Sequence, residues 1–213
     1  MADLEKRPNK TRTRAQEERN YQIVYRVAYP ILNVLLYPQK TLHRDRIPEG
    51  ACIICPNHNC WIDPPMACFA MTSRYHIYIM AKKELMEVPV LGRIFDSIGT
   101  FGVDRGNSDV GAIKRALRVL KDGQKLLMFP EGTRVAEGEG DAKTGAIMLA
   151  MKTGVPLLPV YMTRHKKPFH KSTVVIGEPY TIHPAGRRAT PAEYEEQAQI
   201  LLDRIYALEE EAK

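Results

Sequence analysis

Ala51-Cys52-Ile53-Ile54-Cys55-Pro56-Asn57-His58-Asn59-Cys60-Trp61-Ile62-Asp63-Pro64 falls into three parts. Residues 51–55 are short and continuously apolar, as a strand buried on both faces should be. A polar island follows, and a helix-like segment over 64–72 begins at the proline. Five more strand-like runs occupy 76–81, 99–103, 125–129, 157–162 and 173–176. Helix-like segments lie between them over 90–98, 107–121 and 144–152. Val110, Ile113, Leu117 and Leu120 line one face of the segment over 107–121, which stops at Gly123. Thr190-Pro191-Ala192-Glu193 opens the last helix with a capping box and a first-turn proline. Such alternation predicts an α/β fold with a mostly parallel central sheet flanked by helices.

The 213 residues, 44% hydrophobic and 26% charged, suit one domain with a sizeable core. The net charge of +6 points to an anionic partner: a phosphorylated substrate, a membrane surface or nucleic acid. Cys52, Cys55, Cys60 and Cys68 crowd into one stretch, unlike a disulfide framework. The N-terminus is polar and charged, without a secretory signal, so a reducing cytoplasm is expected. Cys52-x-x-Cys55 near His58 and Cys60 raises a zinc site. Both cysteines fall inside a strand and no second CxxC exists, so buried thiols acting as small apolar side chains are the preferred reading.

Residues 1–40 read as a basic arm and an amphipathic helix, and 41–213 as the α/β domain. Lys6, Arg7, Lys10, Arg12, Arg14 and Arg19 precede an apolar segment over 21–37. In that segment Gln22, Arg26, Tyr29 and Asn33 form a polar stripe opposite Val24, Val27, Ala28, Ile31 and Leu35. Pro30 should kink it. It falls short of the ~20 residues that span a bilayer, so a helix lying in the membrane interface is expected. The alternative is a helix with its apolar face on the core.

In open α/β sheets ligands bind at the carboxyl ends of the strands. Each polar island here follows a predicted strand: Asn57, His58 and Asp63 the first, Lys82 and Lys83 the second, Asp104 and Arg105 the third, Glu131 to Arg134 the fourth. Asp63 can hold one nitrogen of His58 while the other takes a proton from a hydroxyl. Arg105, Arg134 and a lysine of the Lys82-Lys83 pair suit a phosphate. Gly132 allows a close backbone approach to a ligand. Cys60 as an acyl-carrying nucleophile is a lesser reading, because direct attack by the hydroxyl needs only the base. No phosphate-cradling GxxxxGK[ST] is present.

At these residues the chain resembles the glycerolipid acyltransferases related to bacterial 1-acylglycerol-3-phosphate acyltransferase. Their NHxxxxD motif is matched by Asn57-His58 through Asp63. A glycine, apolar residues and Asp-Arg are matched over Gly99 to Arg105. FPEGTR is matched in full by Phe129 to Arg134, and VPxxPV by Val155 to Val160. The Ala81-Lys82-Lys83-Glu84-Leu85 run is also similar, while Cys60 stands where many relatives have serine. The resemblance implies acyl transfer from acyl-CoA or acyl-carrier protein to lysophosphatidic acid, giving phosphatidic acid, without metal or bound cofactor. It gives catalysis to His58 and Asp63. Arg105, Glu131, Gly132, Thr133 and Arg134 would position the acceptor, with Lys82 on the phosphate. The expected location is the cytoplasmic face of the membrane, peripheral or monotopic, on an anionic surface.

Two other readings remain. The same chemistry could serve glycerol 3-phosphate, another lysophospholipid or an acylated amino acid. A non-catalytic basic module could bind anionic lipid or nucleic acid. Nucleic acid is disfavoured, because the cations sit at strand ends without interleaved aromatics.

Overall fold

A computed structural model of the chain describes residues 12–104, 109–132 and 142–213. Within them lie strands β1 (Gln39–Leu42), β2 (Cys52–Pro56), β3 (Ile77–Lys82), β4 (Phe101–Val103), β5 (Lys125–Leu127), β6 (Leu157–Met162) and β7 (Ser172–Ile176). Helices are α1 (Arg14–Ala28), α2 (Asp63–Ala70), α3 (Lys83–Glu87), α4 (Leu91–Ser97), α5 (Val110–Lys121), α6 (Gly145–Thr153) and α7 (Pro191–Ala207). The strands form one sheet in the order β1-β7-β6-β2-β5-β3-β4. Every pairing is parallel except β6 with β7. The expected α/β fold with a mostly parallel sheet is present.

The predicted strands and helices appear with ends shifted by at most three residues, and β6 matches its expected range. The capping box of α7 forms as expected, with the Thr190 hydroxyl accepting from the Glu193 N–H. Asn107 and Ser108, expected to open α5, lie outside the described residues. Strand β2 is central, and all five of its residues are buried. Its side chains alternate between two cores. Cys52 and Ile54 join the layer with α1 and α2; Ile53 and Cys55 join the layer with α5, α6 and α7. Three residues apart on a strand, Cys52 and Cys55 therefore face opposite ways and form no CxxC chelate. Burial pushes the Cys52 thiol up to about 11 and the Cys68 thiol up to about 12. Among the described residues no group of three or more His, Cys, Asp or Glu could hold a metal ion.

Helix α1 packs onto the domain it precedes. Tyr21 is buried against His76, and Tyr25 and Tyr29 set their rings edge-on to Phe69. At Pro30 the coil widens into a π-helical turn, Tyr29–Leu36. Proline lacks an N–H and crowds the carbonyl four residues back, so regular α-helical bonding is lost there. The expected polar stripe faces the core at Tyr29 and Asn33, and the expected apolar stripe faces outward at Val27, Ile31 and Leu35. Asn33 and Tyr37 are buried, while Val24, placed on the apolar stripe, packs against the core. Ile23, Val27, Ile31, Val34 and Leu35 face outward, each about half exposed or more. Among the described residues no helix is long and apolar enough to cross a membrane.

Candidate active site

The loop from β2 to α2 is anchored at both ends. The ladder to β6 reaches Asn57, whose backbone N–H donates to the Val160 carbonyl at 3.3 Å. Asn57 continues it with its side chain: Nδ2 donates to the Met162 carbonyl at 2.9 Å, and Oδ1 accepts from the Met162 N–H at 2.7 Å. At the other end Asp63 begins α2 and is wholly buried. Its Oδ2 accepts from Asn59 N and Cys60 N, both at 2.7 Å, and meets His58 Nδ1 at 3.0 Å. Because a carboxylate only accepts, Nδ1 carries the proton and Nε2 is left with the lone pair. Phe129 stacks on the imidazole with ring centroids 4.1 Å apart.

The sequence reading missed Lys166. Its ammonium lies 2.7 Å from Asp63 Oδ1, and neither side chain is exposed at all. The approach lacks the angles of a directed hydrogen bond, leaving Oδ1 without one, so the contact is an ion pair. Lys166 Nζ also donates to Asn59 Oδ1 at 3.1 Å. Burial disfavours a charged Asp63, but the bond to His58 and the Lys166 charge outweigh it and hold the carboxyl below its usual range. Its position in the first turn of α2 adds the favourable end of the helix dipole. The signal was present only as the charge run Arg164-His165-Lys166-Lys167. Nothing in the run says which cation turns inward.

Glu131 has a different place from the one expected. It is 1% exposed. Its Oε2 accepts from the His58 backbone N–H at 2.8 Å, and its Oε1 accepts from the Tyr206 hydroxyl on α7. Both oxygens are taken by the protein, so Glu131 positions His58 rather than offering a free carboxylate to an acceptor. Burial raises its carboxyl above the usual value, against the opposing bonds from Tyr206 and His58. Arg164 lies over the Tyr206 ring at 4.7 Å, which ties the stretch after β6 to the same corner. In Glu131→Gln the remaining oxygen accepts from the His58 N–H and the NH2 can only donate to the Tyr206 hydroxyl, so the charge that strengthens both bonds is lost. Bonds to charged groups contribute about 1.5–3 kcal/mol. An approximately 10- to 100-fold fall in kcat/KM is expected, with the fold retained by circular dichroism. An undiminished rate would remove Glu131 from the positioning of the base.

Gly132 has φ +69, and a Cβ there would lie 2.9 Å from Lys143 Cγ. Glycine is required by the backbone and by the packing. Lys82 ends β3 at the same edge of the sheet, is half exposed and pairs with Glu84 at 3.1 Å. Strand β5 separates β3 from β2, so its backbone stands roughly 10 Å from that of β2. Arg105, Thr133 and Arg134 lie outside the described residues. Thus His58, Asp63, Glu131 and Gly132 converge where β2 and β5 end, joined by Lys166 and Tyr206. The cluster can remove a proton from a hydroxyl through Nε2 and return it to a leaving group.

A family model described as Acyltransferase matches residues 39–163, which contain the whole loop from β2 to α2 and the end of β5. The chain belongs to the acyltransferase family and is an O-acyltransferase. More particularly, it is similar to the 1-acyl-sn-glycerol-3-phosphate acyltransferase of Bacillus subtilis, at 32% identity over 66% of this chain and 72% of that protein. The protein of the same name from Streptococcus pneumoniae is 37% identical over 56% of this chain, but that stretch spans only 45% of its own length. The fold is shared with the crystal structure of the 1-acyl-sn-glycerophosphate (LPA) acyltransferase PlsC from Thermotoga maritima. The TM-score is 0.65 and the identity 22%, covering 91% of this chain and 78% of that one.

Proposed function

We propose that the chain moves a fatty acyl group from acyl-CoA or acyl-carrier protein to the free hydroxyl of 1-acylglycerol 3-phosphate, giving phosphatidic acid. The observation that carries this reading is the 3.0 Å contact between His58 Nδ1 and a fully buried Asp63. The names of the similar proteins support the acceptor. His58 Nε2 takes the acceptor's hydroxyl proton as the oxygen attacks the thioester carbonyl. Asp63 stabilises the imidazolium that forms. The C–S bond then breaks, the imidazolium protonates the leaving thiolate, and the ester remains. A metal or bound cofactor has no part in these steps. Lys82, Arg105 and Arg134 hold the acceptor phosphate, and Gly132 and Thr133 shape its approach.

The membrane holds the lysophospholipid acceptor and the phosphatidic acid product, and the outward residues Ile23, Val27, Ile31, Val34 and Leu35 suit a helix laid in the interface on the cytoplasmic side. An assay crossing acyl-CoA and acyl-carrier-protein donors with several acceptors tests the assignment. Lysophosphatidic acid is expected to exceed its dephosphorylated analogue in kcat/KM by about 100-fold or more, the scale of losing charge-assisted bonds to phosphate. Equal rates with both would remove the phosphate from recognition. A preference for glycerol 3-phosphate or an acylated amino acid would reassign the acceptor.

A further inference from the structure

Two exposed aromatic residues lie beside the catalytic loop, away from the outward face of α1. Trp61, three residues past His58, is 55% exposed, and Phe169, in the loop from β6 to β7, is 68% exposed. Both adjoin the end of the π-helical turn. Trp61 meets the Tyr37 ring edge-on at 6.1 Å, and the Phe169 N–H donates to the Leu36 carbonyl at 2.6 Å. Phe169 is also held at φ +64, a conformation uncommon for a bulky residue, while its ring gains little burial within the chain. Trp61 and Phe169 thus each border the end of the π-helical turn, Trp61 within the loop that carries His58.

The surroundings are cationic. No acidic residue occurs from Asn20 to Arg44 or from Val160 to Gly177. Lys167 and Lys171 flank Phe169 and are exposed. Two copies of an acid-free basic patch would repel one another, which argues against a second copy as its cover. Tryptophan and phenylalanine flanked by lysines match an anionic lipid interface, where rings enter the headgroup level and ammonium groups meet phosphates.

We propose that Trp61, Phe169, Lys167 and Lys171 form a second contact with an anionic bilayer, touching down beside His58. The inference rests on the membrane reading above and adds a point of attachment separate from the helix. Helix and loops together then fix the catalytic loop at headgroup height.

Trp61 is the chain's single tryptophan, so its emission reports on this contact alone. The full chain is mixed with phosphatidylcholine vesicles with and without phosphatidylglycerol. The expected result is a blue shift with the anionic vesicles and quenching by lipids labelled near the headgroup. Phe169→Ser should weaken binding to them about tenfold. It should leave turnover of a monodisperse short-chain acceptor unchanged. Lys167→Gln with Lys171→Gln should reduce the preference for anionic over neutral vesicles about 10- to 30-fold. Co-sedimentation with vesicles while Trp61 emission stays unchanged would overturn the second contact and leave the helix attachment standing. Failure to co-sediment at all would overturn both. A blue shift without vesicles that grows with protein concentration would assign the patch to a second copy.

Discussion

Asp63→Asn is expected to lose about 10⁴ in kcat, the scale of misplacing the imidazole tautomer, and to lose about 3–5 kcal/mol of stability. Both effects follow from what the carboxylate touches. Oδ2 accepts from His58 Nδ1 and two backbone N–H groups, while Oδ1 faces the Lys166 ammonium. An amide has one accepting oxygen. If that oxygen serves His58, an NH2 points at a fully buried ammonium, which is then left without a counter-charge. Adding Lys166→Met removes the stranded charge. The double variant should therefore regain most of the lost stability while remaining inactive. Denaturant midpoints and turnover measured on wild type, both single variants and the double variant separate the two roles. Equal stability of all four would show the ion pair to be energetically neutral. An active Asp63→Asn would sink the assignment of Asp63 to the base.

Acid should act through the same pair. Asp63 is held below the ordinary carboxylate range in the folded protein. A depressed folded value means that the unfolded chain binds the proton first. The stabilisation is complete above about pH 5, falls through the ordinary value near ~3.9, and is lost below the folded value. Below pH 5 the melting temperature of the double variant should thus decline less steeply than that of the wild type.

His58→Ala should lower kcat about 10²- to 10⁴-fold, the usual contribution of a positioned base, and cost about 1.5–3 kcal/mol of stability through the lost bond to Asp63. The His58 backbone N–H still reaches Glu131, so the loop keeps its anchor, while the ring over Phe129 and its Nδ1 bond to Asp63 are lost. The variant should bind the acceptor with a KM close to that of the wild type. Thioester release measured with lysophosphatidic acid reads this directly. Full turnover would eliminate His58 as the base and turn attention to Cys60, whose N–H already engages Asp63.

Most of the sheet was legible because buried parallel strands are short, apolar and separated by helices. Strand β1 was not, since Gln39-Lys40-Thr41-Leu42 is a polar edge strand paired on one side only. The His58–Asp63 pair was legible because both partners sit in one loop. Lys166 and Tyr206 were not, since their relation to that loop exists only after β6 and α7 pack beside it. The π-helical widening of the N-terminal helix escaped notice for a local reason. A regular helical wheel was projected through Pro30, where the wider turn begins.

Strand β2 carries the base, yet its neighbours β5 and β6 come from much later in the chain. During synthesis the segment with His58 and Asp63 leaves the ribosome long before Glu131, the Met162 clamp and Lys166. Until β6 and its following loop are made, Asn57 has no backbone to hold and Asp63 no buried cation beside it. Competence is therefore acquired late, after the last central strand closes the sheet and α7 brings Tyr206 to Glu131. A half-made chain has the catalytic residues without the charge balance that lets them be buried.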